Sequence, residues 1–159
     1  MGSNGPSCRP CRDKIVIREG TFKDEVFVAD LAQEVFSVYG EYRQILPRCL
    51  INPYIYTAVA QVEDTPVGFG MLTLEINKGE VLAIAVDPEH HNRGIGRQLM
   101  TILLREAGKF SFKAVTLKTA SDNVTAQGLF STLGFEVTGE NEGYYTRGQS
   151  AMEMVKRLQ

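Results

Sequence analysis

Apolar and polar positions follow two rhythms along this chain. Short runs rich in apolar and β-branched residues predict strands at Lys14–Arg18, Ile55–Val62, Val67–Ile76, Glu80–Val86, Ala114–Thr119, Gly134–Val137 and Met152–Val155. Between them the apolar residues move to helical spacing. Phe22, Val26, Phe27, Ala29, Leu31, Val35 and Phe36 make one stripe, with Thr21 as its cap and Gly40 as its stop. A second helical piece is predicted from Glu41 to about Leu50, carrying Tyr42, Ile45 and Leu46 and limited by Pro47. Ile95, Leu99, Ile102 and Leu103 predict a third helix, ending at Ala107-Gly108. Ala126, Leu129, Phe130 and Leu133 predict a fourth, opened by Ser121-Asp122-Asn123.

This order sets the architecture. Glu63-Asp-Thr-Pro66 and Asn77-Lys-Gly79 are turns, so the strands around them form an antiparallel run. Gly68 and Gly70 suggest a bulge or a close neighbour. The strand–helix–strand from Glu80 to Thr119 is a parallel crossover. The expected fold class is therefore α/β (α+β): a mixed, mostly antiparallel central sheet flanked by helices. A ligand in such a sheet binds where neighbouring strand ends diverge. One domain is expected over residues 14–159. Residues 1–13, polar and rich in Gly and Pro, read as a flexible leader, part of it of cloning origin.

The crossover holds the candidate chemistry. Asp87-Pro88 ends the apolar strand, and Glu89-His-His-Asn-Arg-Gly94-Ile-Gly96-Arg97 leads into the helix. A helix start has unpaired N–H groups and partial positive charge, which suit a phosphate or pyrophosphate. A Walker loop would need Lys-Ser/Thr after Gly96, where Arg97-Gln98 stands. A dinucleotide loop would need glycine at Leu99. Both fail, which disfavours a nucleotide-binding domain.

The stretch instead resembles motif A of the GNAT N-acetyltransferase superfamily, Gln/Arg-x-x-Gly-x-Gly/Ala after a strand ending in Val-x-Pro. His91 stands where Gln or Arg is usual. Farther on, Asn123, Ala126, Leu129, Gly134 and Phe135 match motif B, with Phe130 in place of its tyrosine. Two motifs in order are much more specific than one. The element order agrees with the family from Ile15 to Leu158, and the GNAT fold is the resulting expectation. Tyr144-Tyr145 before Ala151-Met-Glu-Met154 resembles the branch that acetylates protein N-termini, including the ribosomal-protein alanine acetyltransferases. Two aromatics packed on a sheet edge explain that pair equally well.

The resemblance implies an acetyl-CoA-dependent N-acetyltransferase acting on a primary amine by direct attack in a ternary complex. It implies that the Ile84-Ala85-Val86 backbone pairs with the pantetheine arm. His91, Asn92, Arg93, Gly94, Ile95, Gly96 and Arg97 would hold the pyrophosphate, and Asn123 would bond the pantetheine. Phe130 occupies the position of the family's leaving-group acid and has no proton to give. Tyr144, Tyr145 or water would then supply it. The alanine branch has its glutamate base five residues before the motif B asparagine, and Lys118 stands there. The histone branch has its base at the position of Glu80. Period-2 alternation puts Glu80, Leu82, Ile84 and Val86 on one face, and a solvated surface carboxylate is the competing reading of Glu80. A non-catalytic acyl-CoA binding or sensing domain is the alternative function, and Phe130 is its main support.

Composition narrows the partners. The net charge of -2 gives no general pull on nucleic acid or anionic lipid. No apolar run reaches the length of a membrane span, and no signal peptide is visible, so a cytoplasmic setting is expected. The resemblance implies a peptide or a small-molecule amine as acceptor, and a homodimer is left open. Cys8-x-x-Cys11 lacks a second pair, and His90-His91 lacks a spaced partner, so no metal is expected.

Overall fold

The computed structural model describes residues 14–158. The expected leader, with Cys8 and Cys11, lies outside the described residues. Seven strands form one sheet in the order β1-β2-β3-β4-β5-β7-β6. They are β1 Ile15–Glu19, β2 Ile55–Val62, β3 Thr65–Leu74, β4 Lys78–Val86, β5 Ala114–Ala120, β6 Glu136–Asn141 and β7 Ala151–Arg157. Only β4 and β5 run parallel; every other neighbouring pair is antiparallel. The helices are α1 Glu25–Phe36, α2 Ile95–Lys109 and α3 Val124–Thr132.

Each face of the sheet has its own core. Leu99, Met100 and Leu103 of α2 pack on one face with Val67, Leu72 and Val115, and Phe130 and Phe135 join them. Val28, Leu31 and Ala32 of α1 pack on the other face with Val59, Phe69 and Met71. The glycines of β3 serve the first contact. A Cβ on Gly68 would stand 3.3 Å from Leu99 Cδ1, and one on Gly70 would stand 3.0 Å from Leu103 Cδ1. Helix α2 therefore lies against bare backbone, and β3 needs glycine there.

The segment before β2 differs from expectation. Thr21 caps a single 3-10 turn, Phe22–Asp24, and α1 starts only at Glu25. Asp24 is drawn inward by Arg18, whose guanidinium grips its carboxylate at 2.8 and 2.9 Å. The helix expected from Glu41 is a 3-10 turn at Leu46–Ile51. Pro47 is the second residue of that turn instead of limiting a longer one, as its fixed φ and missing N–H suit the start of a helical turn.

Strand β4 overturns the simple alternation. Its register with β3 shifts, since Met71 faces Ala83 while Leu72 faces Val81. Leu82 is the extra residue of a bulge. Val81 then sits on the α2 side with Ile84 and Val86, while Ala83 and Ala85 lie on the α1 side. Glu80 therefore goes with Ala83 and Ala85, not with Ile84 and Val86. One extra residue has swapped the faces.

Candidate active site

The pairing of β4 with β5 is short. Strands β4 and β5 pair from Lys78↔Ala114 to Val81↔Leu117, and there the ladder ends. Past that point the two strands part, leaving backbone N–H and C=O groups along β4 without partners on β5. A cavity of about 190 Å³ fills the gap. Leu82 to Ile84 line it on one side and Lys118 to Ala120 on the other. Asn123 and Phe130 of α3 border it, as do Tyr39, Tyr42, Tyr144 and Tyr145.

Of the residues singled out in the sequence, Glu80, Ile84, Asn123, Phe130, Tyr144 and Tyr145 converge on this cavity. Ala85, Val86 and residues 91–97 do not line it; they continue β4 toward the start of α2. Gly94 is the N-cap of α2 with φ 77°, a left-handed conformation that glycine adopts freely. No protein atom lies within 4 Å of where its Cβ would be. Gly96 differs: a Cβ there would touch Leu129 Cδ2 at 3.4 Å, about an ordinary contact, where α2 meets α3. The amides of residues 95–97 lie in the first helical turn and lack intrahelical acceptors. Ile95 itself is buried, leaving its backbone as what it can offer a ligand.

Two exposed side chains of the loop bond back to the protein. His91 Nε2 donates to the Val86 carbonyl at 3.0 Å, tying the loop to the end of β4. Arg97 Nη2 donates to Thr132 Oγ1 at 2.7 Å, tying it to α3. Both brace the loop. Asn123 caps α3, its Oδ1 accepting from the Ala126 amide at 3.1 Å. Asn92 carries a left-handed φ of 64°.

At the opposite end of the cavity, Lys118 Nζ stands 3.8 Å from Glu80 Oε2 and 5.5 Å from the centre of the Tyr144 ring. Tyr145 meets Tyr39 with ring centres 4.9 Å apart and Tyr144 at 5.0 Å. Burial pushes the Tyr145 phenol far above its ordinary range, and Tyr42, Tyr144, Tyr39 and Asp122 add to the effect. Such a phenol keeps its proton at neutral pH and is a weaker acid than an ordinary tyrosine. Phe130 is packed edge-on against Phe135 at 6.0 Å and is 3% exposed.

Sequence reasoning missed Tyr39 and Tyr42, and it read Lys118 only as a mismatch. The tyrosines are brought in by the β6–β7 loop. Thr146 Oγ1 donates to the Tyr39 carbonyl, Arg147 Nε to that of Ser37 and Gln149 Nε2 to that of Val38. These bonds hold the C-terminal end of α1 over the cavity across more than a hundred residues of sequence. Among the described residues, no group of three His, Cys, Asp or Glu side chains could hold a metal ion. No helix there is long and apolar enough to cross a membrane.

Residues 25–135 match the model of the Acetyltransferase (GNAT) family, and the chain belongs to that family. The ribosomal protein bS18-alanine N-acetyltransferase of Salmonella typhimurium is 28% identical over 87 residues, 55% of this chain and 59% of that protein. The chain spans 31%, 39% and 59% of the lengths of three curated relatives that it matches, that one included. The crystal structure of the ribosomal-protein-S18-alanine N-acetyltransferase from Escherichia coli superposes with a TM-score of 0.82 at 20% identity, over 91% of this chain and 94% of that one. The PaiA N-acetyltransferase of Thermoplasma acidophilum, in complex with coenzyme A, gives 0.78 at 21% identity, over 91% and 99%. At these identities the likeness of the structures concerns the fold.

Proposed function

We propose that residues 14–159 are one N-acetyltransferase domain that moves acetyl from acetyl-CoA to a primary amine. The observation that carries this reading is the end of the β4–β5 ladder at Val81↔Leu117, with Glu80 at the head of the gap. The cofactor arm would lie along Ile84-Ala85-Val86, whose backbone groups on the β5 side have no strand partner. Its pyrophosphate would meet the amides from Arg93 to Arg97 at the start of α2. Asn123 would bond the pantetheine. His91 and Arg97 would brace this loop, and Asn92 would shape it.

The chemistry divides among the residues at the cavity's other end. Glu80, directly or through a water, takes one proton from the substrate ammonium. The amine lone pair then forms the C–N bond at the thioester carbonyl, and a β4 amide meets the developing oxyanion. As the C–S bond breaks, the nitrogen loses its second proton and the thiolate gains one. Tyr145 is the donor this reading favours, because it lines the cavity between the rings of Tyr39 and Tyr144; Tyr144 is the next choice. The sum is acetyl-CoA plus an ammonium giving an amide, coenzyme A and one released proton.

Phe130 favours a second reading, a domain that binds acyl-CoA without turnover. Incubation with acetyl-CoA and a panel of amines separates the two. Transfer releases coenzyme A thiol and yields an acetylated amine by mass. Tight binding of acetyl-CoA with no thiol released by any amine would leave the binding reading standing.

A further inference from the structure

We infer that the acceptor is a free α-amino acid, read by the Glu80–Lys118 pair as a zwitterion. The inference rests on the acyl-transfer reading of this cavity and names the substrate class of that site. An α-amino acid carries an ammonium and a carboxylate on one carbon. The cavity presents the complementary charges side by side: the Glu80 carboxylate and the Lys118 ammonium, 3.8 Å apart. At that separation the pair is loose, and both side chains are about a quarter exposed, at 28% and 27%. Such a pair adds little to stability, so a ligand can part it at small cost.

Other features point the same way. Lys118 Nζ rests over the Tyr144 ring, which fixes a long and mobile side chain without using its hydrogen-bond donors. The small cavity must hold the acyl end of the cofactor as well as the acceptor. Tyr39 and Tyr145 line it with their rings packed together, and the β6–β7 loop is bonded to the end of α1. That leaves room for a compact acceptor, with aromatic walls for its side chain. Glu153 faces Lys118 in the β5–β7 register, on the same face, but does not line the cavity. It leaves Lys118 as the cation of the cavity among the described residues that line it.

The bonds made are then assigned. The substrate carboxylate accepts from Lys118 Nζ, and the substrate ammonium donates to Glu80, which takes the proton before attack. A diamine or a protein N-terminus lacks the carboxylate and would leave Lys118 facing only Glu80.

The test compares matched acceptors on the unaltered protein. Each free amino acid is run beside its primary amide, with a short alanine-initiated peptide and a diamine alongside. Rates are compared on total amine at neutral pH, where acid and amide are both mainly the ammonium that the site would bind, and thiol release and product mass are followed. A charge-assisted hydrogen bond predicts kcat/KM higher by about tenfold to a hundredfold for the acid, mostly through KM. Lys118→Met should collapse that acid-to-amide ratio toward one, and Lys118→Arg should keep most of it. Equal use of acid and amide overturns the inference. So does transfer to the peptide or the diamine with none to free acids; acyl transfer itself would survive either result. Binding of acetyl-CoA with no acceptor of any class would remove both readings.

Discussion

The two ends of the cavity are built by different rules. At the cofactor end, a strand, a tight loop and a helix start follow one another within Glu80 to Lys109, and local geometry sets nearly everything. Gly94 takes φ 77° because only glycine does so freely, and His91 bonds back five residues to Val86. At the acceptor end, nothing is local. Glu80 comes from β4, Lys118 from β5, Tyr39 from the chain after α1, and Tyr145 from the loop between β6 and β7. Under the proposed function the first end is a generic grip on a nucleotide-bearing arm. The second is an assembly of distant pieces, free to differ between relatives with the same fold.

If that division holds, substitutions at the two ends should fail in different ways. The largest effect belongs to Glu80→Gln. A positioned base is worth about 10² to 10⁴ in rate, so kcat should fall by that much while acetyl-CoA affinity stays nearly constant. The rise of rate with pH should move to higher values, because turnover would then wait on amine that is already neutral. Steady-state kinetics across pH on both proteins measure it. Full turnover with an unchanged profile would make Glu80 a surface carboxylate and break the comparison.

Gly94→Val should give the opposite signature. Its Cβ would collide with no protein atom, so the cost lies in the left-handed φ and in the space a ligand uses. Backbone strain of about 1–3 kcal/mol is expected, and acetyl-CoA affinity should fall roughly tenfold or more. Titration calorimetry beside a melting curve separates the two; unchanged affinity in a folded protein contradicts the grip.

Asp24→Asn probes the fold apart from either end. Asp24 accepts from both Arg18 nitrogens and from the Thr21 amide. Removing its charge should cost about 2 kcal/mol, below the full value for a buried pair because Arg18 is 35% exposed. The Arg18 hydrogen bond holds the Asp24 carboxyl below the usual carboxylate range, so the stabilisation is present above an unfolded value of about 3.9. It is lost as pH falls through the lower folded value. Denaturant unfolding from pH 7 to pH 2 should show the two proteins converging at the acid end.

The smallest effect is expected for Phe130→Tyr. The added hydroxyl restores a donor beside the cavity, so turnover should stay similar or rise. Phe130 also packs on Phe135 in the core, so a stability loss of up to about 1 kcal/mol is expected if the hydroxyl finds no partner. A large loss of turnover in a folded protein would show that its packing shapes the site.

The same division explains what the sequence could reveal. Strand β2 was legible to the residue, because Ile55–Val62 is a short apolar run between turn signals. The loop and helix from Asp87 onward were legible because proline and glycine impose local geometry. The bulge at Leu82 was not, since a bulge depends on how β3 and β4 share hydrogen bonds, and neither strand alone carries that information. Glu80 was thus chosen as a site residue on a face argument that the bulge reverses. It reaches the cavity because the β4–β5 ladder ends just beyond it. Tyr39 and Tyr42 escaped because their place depends on side chains of Thr146, Arg147 and Gln149 holding carbonyls at the end of α1. The helix expected from Glu41 failed for a related reason: a helical apolar pattern there serves only a 3-10 turn, shaped by packing under α1.

The central claim is that the gap between β4 and β5 is where acyl group and amine meet. A structure of the protein with coenzyme A bound tests it most directly. The expected result has the pyrophosphate on the amides at Arg93 to Arg97, the pantetheine beside Ile84 to Val86, and the sulfur in the gap. From there a hydrogen bond, or one water, should reach the Tyr145 hydroxyl, and the carboxylate of Glu80 should face the same space. A coenzyme bound elsewhere, or a sulfur turned away from the gap and from Glu80, would contradict the account.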